Sequence, residues 1–150
     1  MGNIFHKDFR DFIKALNRCN VEYLVIGGYA VVLHGYSRNT GDLDFWVNKT
    51  AINYQKLKLA FAKFGMPVFD MTENNFLINP TLDVFTFGKP PVSIDILTKV
   101  KGLEYDKCSA KAVEMKVDGL KVRVIDFRDL INSKRESGRS KDLDDLENLQ

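Results

Sequence analysis

Apolar residues at the start of the chain recur at intervals of three and four. Phe5, Phe9, Phe12, Ile13 and Leu16 fall on one stripe, which predicts a core-facing helix within residues 1–20 that ends at Asn17, Arg18 and Asn20. The pattern then changes. Tyr23-Leu24-Val25-Ile26 is a short unbroken apolar run, stopped by Gly27-Gly28 and followed by apolar positions from Tyr29 to Leu33. A strand, a glycine turn and a new helix fit this order. A polar loop from Gly35 to Gly41 leads to Asp42, after which residues 43–47 return to strand character, so the loop delivers Asp42 and Asp44 onto a strand. Tyr54, Leu57, Phe61 and Phe64 have helical spacing, and Gly65 and Pro67 close that element.

Downstream the period shortens to two. Residues 83–87 and 92–97 alternate on either side of Gly88-Lys89-Pro90-Pro91 and predict a hairpin; residues 113–117 and 120–124 flank Asp118-Gly119, a stronger hairpin signal. Asp126 can cap a helix running through Ile131 and Ser133, and Ser140 can cap a last one carrying Leu143, Leu146 and Leu149. The expected architecture is α/β (α+β): a small mixed sheet flanked by helices, in one domain over 1–150, with an N-terminal helix in 1–20, the sheet and its helices in 21–125 and closing helices in 126–150.

Composition narrows the class. A chain of 150 residues that is 45% hydrophobic is enough for one packed core. Its 22 basic and 20 acidic residues leave a net charge of +2, so a polyanion would have to meet a local cluster. Lys56, Lys58 and Lys63 are the candidate patch for RNA, but they read more simply as the wet face of a helix. Cys19, Cys108, His6 and His34 lack the spacing of a zinc module or a disulfide scaffold. A charged N-terminus and the absence of a long apolar run point to the cytoplasm, with no membrane partner.

The candidate chemistry lies in Gly27-Gly28 and Asp42-Leu43-Asp44. On a strand, Asp42 and Asp44 share a face while Leu43 and Phe45 turn to the core. Adjacent carboxylates repel unless a cation neutralises them, and a pair of Mg²⁺ ions about 3.5–4 Å apart is a common arrangement in phosphoryl chemistry. In Val92-Ser93-Ile94-Asp95-Ile96 the same alternation sends Asp95 away from the core, so three carboxylates converge if this strand lies beside the first. Gly27 and Gly28 open backbone N–H groups to a triphosphate, to which Arg38, Lys49 and Ser37 or Thr40 could add donors. No G-x-x-x-x-G-K-[ST] occurs, which removes the P-loop ATPases. His34, beside Val31 and Leu33, reads as a packing or capping residue and not as a base.

Gly-Gly, a short helix, Asp-x-Asp on a strand and a third Asp on a later strand together resemble the DNA polymerase beta-type nucleotidyltransferase superfamily. Gly27-Gly28-Tyr29-Ala30, His34-Gly35, Arg38, Thr40 and Asp42-Leu43-Asp44 are similar to the lincosamide and aminoglycoside nucleotidyltransferases, and to stand-alone members of abortive-infection and toxin–antitoxin systems. The tail from Val124 through Lys134, Gly138-Arg139, Lys141-Asp142 and Asp145-Leu146 is similar to the closing helices of the stand-alone enzymes. The resemblance implies that Asp42 and Asp44 bind Mg²⁺, two ions in all or Mn²⁺ in their place, and that Asp95 shares one ion and helps to deprotonate an acceptor hydroxyl. It also implies that Gly27, Gly28, Arg38, Thr40, Lys134, Arg139 and Lys141 surround the nucleotide. The activity implied moves a nucleoside monophosphate from a nucleoside triphosphate to a small molecule, a tRNA or a protein. A rival expectation is a toxin–antitoxin or other partner-binding module with little catalysis. Length suggests that the acceptor-binding domain of the antibiotic-modifying enzymes is missing or must come from a partner subunit.

Overall fold

The alternating periods resolve into six strands and six helices in a computed structural model that describes residues 6–37, 40–89, 92–139 and 145–147. In chain order they are α1 (Lys7–Arg18), β1 (Tyr23–Ile26), α2 (Gly27–Leu33), β2 (Asp42–Val47), α3 (Ala51–Phe64), α4 (Glu73–Leu77), β3 (Val84–Lys89), β4 (Val92–Leu97), α5 (Tyr105–Ala110), β5 (Val113–Val117), β6 (Leu120–Val124) and α6 (Phe127–Ser137). The strands form one sheet in the order β3-β4-β2-β1-β6-β5. Pairing is parallel for β2/β4 and β1/β6 and antiparallel for β1/β2, β3/β4 and β5/β6. The mixed sheet flanked by helices is therefore present.

Helices cover both faces. On one face the apolar stripe of α1 meets the sheet and α3: Phe12 lies 5.4 Å from both Phe45 and Phe61, ring centre to ring centre, and Phe61 lies 4.8 Å from Phe87. Leu43, Phe45 and Val47 are wholly buried there. The alternate residues of β2 turn to the other face, where Trp46 packs edge-on against Tyr105 of α5 at 5.3 Å and Asp44 is half-buried. This split leaves α1 and α3 packed on one face and puts the half-buried Asp44 on the other, beside Trp46 and α5.

Several local signals act as expected. Gly65 ends α3 in the left-handed conformation, and at its other end Thr50, which pattern reading did not single out, caps the helix by accepting from the Asn53 N–H. Asp118 and Gly119 both have positive φ, 51° and 81°, as a tight hairpin turn requires. Asp126 caps α6. Of the proposed last helix only 145–147 are described and helical, with Leu146 buried; Ser140, Leu143 and Leu149 lie outside the described residues, as does Phe5. Helices α4 and α5 were not expected, since five or six residues are too few to show a period. No helix among the described residues is long and apolar enough to cross a membrane.

Both cysteines are free and buried. Burial, with Asp129 adding to it, pushes the Cys108 thiol up to about 11. A raised thiol pKa keeps the sulfur protonated, leaving about one molecule in a thousand as thiolate at pH 8. Iodoacetamide at pH 8 should therefore spare Cys108 in the native protein and modify it only after unfolding in guanidinium. Fast native labelling, read by mass spectrometry, would show instead that α5 does not hold its place on the sheet.

Candidate active site

The turn after β1 sets the geometry. Gly27 opens α2 with φ of 71°, a conformation that side chains disfavour. A Cβ at this position would meet Oδ2 of Asp44 and lie 3.2 Å from its Cγ. The glycine is thus needed twice, once for the turn and once for the carboxylate beside it. Gly28 is buried inside the first turn of α2.

Strand register brings the acids together. Antiparallel pairing sets Ile26 opposite Asp44, and parallel pairing sets Asp44 opposite Asp95. Asp44 and Asp95 therefore occupy neighbouring positions on one face of the sheet. Asp42, opposite Ser93, lies two residues back on the same face and is exposed at the start of β2. Among the described residues no three acidic, histidine or cysteine side chains gather round one point. The expected convergence is thus a pair, Asp44 and Asp95, neighbouring in register, with Asp42 as a third acid at the rim.

Asp44 and Asp95, but not Asp42, line a cavity of about 290 Å³, bounded by the sheet at Gly27, Asp44, Asp95 and Leu97, by α6 at Ser133, Lys134 and Ser137, and by Arg139 beyond it. Lys134 reaches the cavity wall, yet it is buried and its Nζ lies 2.8 Å from Oδ2 of the equally buried Asp145. Arg139 is exposed at the mouth. Thr40 holds the start of β2, its hydroxyl donating to the Asp42 carbonyl at 3.4 Å. Arg38 and Lys141 lie outside the described residues. Lys49 does not share the approach: it follows the far end of β2, whose last residue, Val47, lies about 10 Å from Asp44 at the usual rise per strand residue.

His34 sits at the end of α2, with Nε2 2.8 Å from the Ile125 carbonyl oxygen. A carbonyl can only accept, so Nε2 carries the proton. The ring also packs edge-on against Phe127, which stacks with Tyr36. His34 thereby ties α2 to the start of α6, the packing role expected of it. Sequence reasoning overlooked Lys99 and Lys101, which also line the cavity. They follow the strand that bears Asp95, and that adjacency was the available signal.

Residues 5–150 match a protein family described as a nucleotidyl transferase of unknown function (DUF2204). The chain belongs to this family. No sequence among curated proteins matches this nucleotidyltransferase. In structure it is similar to the lincosamide antibiotic adenylyltransferase LnuA in its lincomycin-bound form, with 19% identity over 99% of this chain and 98% of that one, at a TM-score of 0.61. It is also similar to the antibiotic-resistance factor ANT(2'')-Ia, with 12% identity over 95% and 80% of the two chains and a TM-score of 0.61. An antigenic nucleotidyltransferase-like protein from Paracoccidioides brasiliensis shows 14% identity over 93% and 72%, with a TM-score of 0.55. Likeness at such identities is likeness of fold. Near-complete coverage in both directions makes LnuA almost equal in length to this chain.

Proposed function

We propose that this nucleotidyltransferase moves a nucleoside monophosphate from a nucleoside triphosphate to an acceptor hydroxyl, with release of pyrophosphate. The observation that carries the reading is the pairing of Asp44 with Asp95 across β2 and β4, beside a glycine that leaves Asp44 uncovered. The donor set suits Mg²⁺, or Mn²⁺ in its place. Oδ1 of Asp95 is buried with no hydrogen-bond partner among the described residues, a costly state for a carboxylate that nothing completes. Asp42, Asp44 and Asp95 would hold the metal. When bound, it supplies neutralisation of the charge that develops on the attacking and leaving oxygens.

The remaining work falls to the chain itself. Gly27 and Gly28 let phosphate oxygens approach backbone N–H groups, and Arg139 at the mouth donates to the triphosphate. Lys134, matched by Asp145, holds the tail against α6 and contributes a shared proton donor at the wall. Thr40 fixes the entry of β2 and so the placing of Asp42. Arg38 and Lys141 are assigned to the nucleotide on resemblance alone. Asp95, nearest the outer strands, receives the hydroxyl proton as the oxygen attacks the α-phosphorus.

Incubation with each of four triphosphates and Mg²⁺ against cell extract tests this. Label at the α-phosphate should pass to an acceptor and label at the γ-phosphate should not, with chelation stopping the transfer. Transfer of the γ-label would make the protein a kinase and overturn the reading.

A further inference from the structure

The cavity has two ends. One is the Gly27 turn; the other lies past Asp95, where Leu97 and Val84 face each other across β4 and β3 and the chain turns through Lys99, Val100 and Lys101. This turn is fixed. The Thr98 N–H donates to the Asp83 carbonyl at 2.9 Å, the Leu103 N–H donates to the Val100 carbonyl at 3.1 Å, and Gly102 lies against the Glu136 side chain of α6. Displacement at phosphorus proceeds in line, so the incoming oxygen and the departing pyrophosphate occupy opposite sides. With the triphosphate seated at the glycines, the acceptor enters over Asp95 from the Lys99–Lys101 end.

The charges at that end are unbalanced. Asp44 and Asp95 are the only acids lining the cavity among the described residues, and both are assigned to the metal. Lys134 is matched by Asp145. Lys99 and Lys101 are exposed, and no ion pair engages either among the described residues. Between them and Asp95 the floor is apolar, and Val84 is 47% exposed. A polycationic acceptor would meet two like charges, and among the described residues no carboxylate lines the cavity beyond the two assigned to the metal. An acceptor carrying a phosphate dianion would gain two charge-assisted contacts while its carbon body covers Val84 and Leu97.

We infer that the acceptor bears a phosphate group near its reacting hydroxyl, and that Lys99 and Lys101 select it. The inference rests on the transfer reaction proposed above. It is tested with two phosphate-bearing probes, ribose 5-phosphate and a single-stranded RNA tetranucleotide, against ribose and an aminoglycoside as neutral and polycationic controls. Equilibrium binding to the full chain is measured for the wild type and for Lys99→Ala/Lys101→Ala, followed by transfer of α-labelled nucleotide to each probe. One phosphate probe should bind at least tenfold more tightly than ribose, and the double variant should lose that advantage while its affinity for the triphosphate with Mg²⁺ changes less than twofold. The probe that binds distinguishes a small phosphate ester from an RNA end. Binding of both probes no better than ribose, or unchanged binding by the double variant, overturns the inference, as does labelling of the aminoglycoside in their place. A probe held through both lysines that receives no label from any triphosphate overturns the transfer reading instead, so the two failures are distinguishable.

Discussion

Asp44→Asn should lower nucleotidyl transfer about a thousandfold, equivalent to roughly 4 kcal/mol of lost transition-state stabilisation. The fold should not suffer. Asp44 lies opposite Asp95 in register, and removing one of two adjacent carboxylates relieves repulsion in the metal-free protein. The melting temperature without metal should therefore hold or rise slightly, while the stabilisation that Mg²⁺ gives the wild type shrinks. Initial rates of α-label transfer and melting curves with and without Mg²⁺ check both halves. A variant that turns over normally would remove Asp44 from the mechanism. One that melts far below the wild type would mean that the carboxylate is a structural group.

The second large effect concerns stability. Asp145→Ala should cost about 3–5 kcal/mol, because it removes the buried carboxylate that lies 2.8 Å from the buried ammonium of Lys134. The double variant Lys134→Met/Asp145→Ala should recover much of that loss, since a matched buried pair often exceeds an apolar pair of similar shape by little or nothing. Urea denaturation of the wild type, both single variants and the double variant closes the cycle. An Asp145→Ala loss below about 1 kcal/mol would place the pair in water.

The extent to which sequence anticipated this molecule follows from how local each signal is. The α1 stripe, the Gly27 turn, the alternation of β2 and β4 and the Asp118-Gly119 hairpin depend on residues a few positions apart, and pattern exposes them. Strand order does not work that way. The Asp44–Asp95 neighbourhood depends on parallel pairing between segments about fifty residues apart in sequence, which alternation permits without requiring. The pairing of Lys134 with Asp145 likewise joins α6 to a later segment, and charge pattern does not single out that one acid from its neighbours. Lys49 looked close to Asp44 because five residues is a short interval in sequence, yet it comes after β2 has run on from Asp44 to its far end at Val47. Lys99 and Lys101 carried no pattern of their own, and only the cavity singles them out.

The contact between Gly27 and Asp44 also couples two positions far apart in the chain. A side chain at 27, even a methyl group, and a carboxylate in its present place at 44 exclude one another. If the reaction proposed above holds, drift at the glycine alone would displace the Asp44 carboxylate while leaving the buried face of the sheet untouched, giving a folded protein without the reaction. Among related chains, these two positions read together should separate working copies from those kept only for their shape.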